Sequence, residues 1–158
     1  MFYKMVHSEI YVDKTGLIGY CNHVINTMQR YICVSRPRRF GKSMAANMLS
    51  AYYSRECDSE KLFEGLEISK GSGFKKHLNQ YDTIFLNMQE FLSQCTCIDD
   101  MIKLLERSVL WELLDVYSDV RYFDNTNLAR SMQDIYMQKK CPFIVIIDEC
   151  CLLYTSPS

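Results

Sequence analysis

Two strings near opposite ends of the chain constrain its fold more than anything else in it. The first is an apolar segment, Tyr31-Ile-Cys-Val-Ser35, that runs through Arg36-Pro-Arg-Arg-Phe-Gly-Lys-Ser43 into a helix-forming stretch, Met44 to Ser54. Strand, loop and helix in that order are how a phosphate-binding loop is built. In G-x-x-x-x-G-K-[ST] the glycines let backbone N–H groups turn toward phosphates, the lysine reaches the terminal phosphates, and the hydroxyl helps to hold Mg²⁺. Gly41, Lys42 and Ser43 fill the last three places, while Arg36 stands where the first glycine belongs. The second string, Phe143-Ile-Val-Ile-Ile147 followed by Asp148-Glu149, reads as a buried parallel strand ending in two acids. Asp148 is placed to share a Mg²⁺ with Ser43, and Glu149 to accept a proton from an attacking water. Either string alone is weak, since Gly-Lys-Ser recurs by chance and many buried strands end in solvated acids. In this order, each on an expected strand, they support one another.

The 158 residues suit one domain, and 48% hydrophobic residues supply ample core. A net charge of −1 gives no global pull toward a polyanion, so any basic surface must be local. Eight cysteines form no C-x-x-C pair and the three histidines lie far from them, which argues against a zinc site. Cys33 and Cys141 sit in or beside apolar strands, where a reduced thiol packs as a small hydrophobe. Neither a signal peptide nor a membrane-spanning run is evident, and a reducing cytoplasm is the expected compartment.

Apolar positions 17, 18, 21, 24, 25 and 28 predict a helix from Lys14 to Arg30, capped by Asp13 or Thr15. Met44, Met48, Leu49 and Tyr52 mark the core face of the helix after the loop. Asp82 to Asn87 is the next strand. Asp99 to Tyr117 is an amphipathic helix with Ile102, Leu105, Val109, Leu110 and Leu113 inward. Asp124 to Lys140 is another, capped at Asp124 or Asn125, with Lys139 and Lys140 where the dipole favours cations. Strands alternating with helices imply an α/β domain with a mainly parallel sheet.

Tyr11-Val-Asp-Lys-Thr-Gly-Leu-Ile18, the Ser35 to Ser43 string, Leu62-Phe-Glu-Gly-Leu-Glu-Ile68 and the strand ending in Asp148-Glu149 resemble, in order, the AAA-ATPase-like proteins. The most specific element is R-P-R-R-F-G-K-S, in which arginine replaces the usual first glycine. The resemblance implies a P-loop NTPase three-layer sandwich, incomplete at the C-terminus, over residues 1–149. It implies ATP bound by Arg38, Arg39, Phe40, Gly41, Lys42, Ser43 and Met44, with Mg²⁺ at Ser43 and Asp148 and catalysis by Lys42 and Glu149. It sets Tyr11 to Asp13 beside the adenine. Arg36, Arg38 and Arg39 admit three roles: nucleotide phosphate contact, structural bridging, or nucleic-acid contact, the first two favoured.

Family members commonly carry a PD-(D/E)XK nuclease-like domain after the ATPase domain, so the resemblance leaves a nucleic-acid partner open through such a domain; no nuclease motif is visible in these residues. Residues 150–158 depart from the family pattern and read as a non-native tail. On that reading, strands 83–87 and 143–147 pair side by side while 31–35 is left beside a gap. Weak ATP binding and little turnover are then expected of the chain as written. Two functions from different classes are open: an Mg-dependent ATPase driving a conformational change, and a nucleotide-sensing module that holds ATP without useful turnover. A small-molecule kinase is disfavoured because no second substrate motif is visible. Partners in the cell and oligomeric state are not legible.

Overall fold

The computed structural model describes residues 13–34 and 41–148. Arg36, Pro37, Arg38, Arg39, Phe40, Glu149, Tyr11 and the tail at 150–158 lie outside the described residues. The chain divides into two compact units, one of residues 1–86 and 144–158 and the other of residues 87–143.

In the first unit, helix α1 (Gly16–Val24) is followed by irregular residues 25–34, and α2 (Lys42–Tyr53) opens after Gly41. A short α3 (Glu60–Phe63), a 3-10 turn (Glu67–Lys70) and α4 (Phe74–His77) lead to β1 (Asp82–Asn87). β1 pairs with β2 (Phe143–Asp148) in a two-stranded parallel sheet. The expected side-by-side pairing of these two strands is therefore what the protein has.

Two expectations fail here. The helix expected from Lys14 to Arg30 ends at Val24, where the Thr27 hydroxyl donates to the Val24 carbonyl at 2.7 Å and draws the chain out of helical register. Tyr31 to Val34, expected as the first core strand, form no regular structure, and Tyr31 is 85% exposed. An apolar segment becomes a strand only when a neighbour takes its backbone hydrogen bonds, and among the described residues none does. Cys33 is accordingly exposed rather than packed, whereas Cys141 is buried as expected.

The core of this unit forms where α2 meets α1 and the short elements after it. Met48 and Tyr52 project from α2 onto Ile18, Cys21, Phe63, Ile68 and Phe74, all buried. Met44 lies half-buried at the head of the same face. Tyr52 packs edge-on to Tyr53 and Phe63 with ring centroids at 4.8 and 5.5 Å, an arrangement in which positive ring edges meet negative faces. Its hydroxyl donates to the Phe74 carbonyl at 2.7 Å and accepts from Asn22 at 2.9 Å, so the polar tip is satisfied inside the core. Burial pushes the Cys21 thiol up to about 11, which leaves it protonated and inert.

The C-terminus of α2 is closed by Asn79, a left-handed residue at φ 53°. Its amide donates to the Ser54 carbonyl at 2.7 Å and to Ser59 Oγ at 3.0 Å, and its own N–H donates to the Tyr52 carbonyl at 2.7 Å. Carbonyls that a helix end leaves unpaired are thereby taken up by one side chain and its backbone.

The second unit holds α5 (Met88–Leu92), α6 (Ile98–Val116) and α7 (Leu128–Lys139), with α6 packed on α7. Met101, Val109 and Leu113 are buried on α6, whereas Ile102, expected inward, is 45% exposed. The buried stripe runs at a spacing of four through Met101, and Ile102 lies one position round the helix from it. The α7 cap is Asn127, whose side chain accepts from the Arg130 N–H at 2.9 Å. Asp124, an expected cap, instead closes a turn by accepting from the N–H and hydroxyl of Thr126 at 2.9 and 2.5 Å. Lys139 in the last turn of α7 pairs with Asp119.

Candidate functional site

Gly41 opens α2 in the left-handed conformation, φ 81° and ψ 26°, and its carbonyl accepts from the Ala45 N–H at 2.9 Å. That backbone is strained for a residue with a Cβ, so the glycine is required by the turn itself. The N–H groups of Lys42, Ser43 and Met44, in the first turn that follows, have no intrahelical acceptor, and they sit at the positive end of the helix dipole. This first turn contains no acidic residue and begins with a lysine. A cation there opposes the dipole by about 0.3–1 kcal/mol, an expense that a bound anion would reverse.

A cavity of about 330 Å³ lies at this helix head. Gly41, Lys42 and Ala45 form one side of it, Asp13, Lys14, Gly16 and Leu17 another, with Val34 and Glu67 completing the wall. The side opposite α2 is built by a staple between two distant strings. One Asp13 carboxylate oxygen accepts from the Thr15 N–H at 2.9 Å and from its hydroxyl at 2.6 Å, and the other accepts from the Glu67 N–H at 2.8 Å. Thr15, fully buried, accepts in turn from the Ile68 N–H at 3.2 Å. Burial would raise the Asp13 pKa, but the Thr15 hydroxyl, the N–H groups of Glu67 and Thr15, and the charge of Lys70 outweigh it and hold the carboxyl below its ordinary value. Thr15 is the N-cap residue of α1 but makes no side-chain cap bond, and Asp13 accepts from the Thr15 N–H rather than from a first-turn N–H of the helix, so neither expected cap bond forms.

Of the residues singled out from sequence, Gly41 and Lys42 reach the cavity wall, and Ser43 and Met44 follow them in the first turn of α2. Ser43 is exposed, and its carbonyl, not its hydroxyl, is engaged by Asn47 at 2.7 Å. Asp148 is the last residue of β2 and is not part of that wall. Lys14 and Glu67 are the residues that sequence reasoning missed. Both sit inside strings that carried the family resemblance, but no periodicity indicates that those strings meet.

Parallel pairing of β1 with β2 across a helical crossover makes this a mixed α/β protein. It belongs to the AAA-ATPase-like family, for the family model of a predicted AAA-ATPase matches residues 2–152. Membership implies nucleotide binding in general. No curated protein and no solved structure matches the chain. Among the described residues no helix is long and apolar enough to cross a membrane.

Proposed function

We propose that the chain is an ATP-binding module of P-loop type, belonging to a three-layer sandwich, that hydrolyses ATP with Mg²⁺ and couples the reaction to a conformational change. The observation that carries this reading is the left-handed Gly41 heading α2 over a cavity whose wall includes Lys42. Phosphate oxygens are received by the free N–H groups of the first turn, and Lys42 neutralises the terminal phosphates. The Ser43 hydroxyl and the Asp148 carboxylate are hard oxygen donors of the kind that suit Mg²⁺, which when bound would neutralise charge between the outer phosphates. Glu149 accepts the proton of the attacking water. Arg38, Arg39 and Phe40 complete the nucleotide-contacting loop, and a nuclease-like domain following residue 149 in a longer parent is the module that hydrolysis would serve.

Steady-state phosphate release by a longer parent protein that carries this module tests this reading. Lys42→Ala should abolish ATP binding, and Glu149→Gln should retain binding while losing turnover. Turnover unchanged in Glu149→Gln removes the proposed base, whereas ATP binding without turnover in the unaltered protein leaves a nucleotide-sensing module as the better account. Stimulation by DNA or RNA in the same assay would identify the partner class, and its absence would remove nucleic acid from the account.

A further inference from the structure

We infer that Lys14 is a second phosphate-binding cation of this site, reaching the nucleotide from the wall opposite Lys42; the inference rests on the ATP-binding reading above. A Cβ placed on Gly41 would lie 3.2 Å from the Lys14 ammonium nitrogen, so this amine stands directly over the residue that opens α2. Lys14 and Lys42 line the same cavity. Two lysines thus face the positive end of one helix, where an incoming anion meets both cations and the dipole together.

The placement is not that of a drifting surface lysine. Asp13 and Thr15, its neighbours on either side, are fixed to the turn at Glu67 and Ile68 by bonds of 2.8 and 3.2 Å. The Lys14 backbone is therefore held from both sides, and its side chain is half-buried. Less conformational freedom remains to be lost when an anion arrives, which is how preorganisation raises affinity. The wall also carries two carboxylates. That of Asp13 is occupied by three donors, and that of Glu67 lies 3.5 Å from the Cβ position of Gly16.

Lys14 thus adds charge and a donor where the outer phosphates of a nucleotide would lie, and its effect should grow with the number of phosphates. The test is an NMR titration of the full chain with ATP, ADP and AMP, a method that reads millimolar affinities. It compares wild type, Lys14→Met (stem kept, charge removed), Lys14→Arg and Lys42→Ala, with thermal melts confirming that each folds. Lys14→Met should weaken ATP about tenfold, the size expected from losing one charge-assisted hydrogen bond. The same change should move AMP by about twofold at most, because the contact is to the outer phosphates, and Lys14→Arg should recover part of the loss. Unchanged ATP affinity in Lys14→Met, with Lys42→Ala still losing it, overturns the inference and leaves the ATP-binding reading intact. Equal weakening of ATP, ADP and AMP also overturns it, by showing a structural role. Failure of the wild type to bind ATP overturns the inference together with the reading beneath it.

Discussion

Replacing Thr15 with valine isolates the staple that shapes the cavity, because the side chain keeps nearly its volume and loses only its hydroxyl. That hydroxyl donates to Asp13 at 2.6 Å and accepts from the Ile68 N–H at 3.2 Å, inside a residue with no exposed surface. The larger loss is the Ile68 N–H, left buried without an acceptor at a cost of about 1–3 kcal/mol. Asp13 is exposed and water can replace its lost donor, so that bond contributes less, about 0.5–1 kcal/mol. Burying a methyl where a hydroxyl stood returns about 0.8 kcal/mol. The net expectation is a destabilisation of about 1–3 kcal/mol, read as a lower midpoint in urea at unchanged slope. Thr15→Ser keeps the hydroxyl and sheds one methyl, which should cost about 1 kcal/mol. The Thr15 hydroxyl is the strongest of the influences that lower the Asp13 pKa, so Thr15→Val should also move that carboxyl upward in an NMR titration. A Thr15→Val protein as stable as wild type, with Asp13 titrating unchanged, would refute the reasoning.

Three further outcomes are expected. Asn79→Ala removes the amide that closes α2 and places a Cβ-bearing residue without a polar side chain at φ 53°, so it should cost about 2–4 kcal/mol in chemical denaturation. Asn79→Gly should recover about 1 kcal/mol of that by relieving the backbone; no recovery would contradict the strain argument. Gly41→Ala should cost about 1–2 kcal/mol for the left-handed backbone and displace the Lys14 ammonium, so ATP affinity should fall as well as stability. His77, buried and accepting or donating at 2.5 Å to the Tyr81 hydroxyl, has its pKa lowered by desolvation and by the charge of Lys76. The unfolded chain then binds the proton more readily, so His77 favours the fold fully above about pH 6.5 and loses that contribution as pH falls through its lower folded value. His77→Gln should flatten the stability profile as pH falls below about 6.5, and an unchanged slope would remove His77 as its cause.

Elements whose signal is local were legible in the sequence. The α2 face of Met48 and Tyr52 is buried as its spacing indicated, and the strands at 82–87 and 143–148 form and pair. Tyr31 to Val34 misled because a short run of apolar residues states what a strand needs, not whether a neighbour supplies it. The cap of α7 was misplaced by a few residues because Asp124, Asn125 and Asn127 are all competent, and the turn that Asp124 closes on Thr126 takes it out of contention. At the site, Gly41 and Lys42 were legible as a motif. The wall facing them was not, because Asp13 and Thr15 meet Glu67 and Ile68 across more than fifty intervening positions, which only the folded chain brings together.

The central claim is that phosphates bind at the head of α2. Its most direct test is the map of backbone amide shifts when Mg-ATP is added to the full chain. The account predicts that the amides of Gly41, Lys42, Ser43 and Met44 shift most, that those of Lys14 and Thr15 follow, and that Lys42→Ala abolishes both sets. Shifts centred elsewhere, or a pattern at α2 that survives Lys42→Ala, would contradict it.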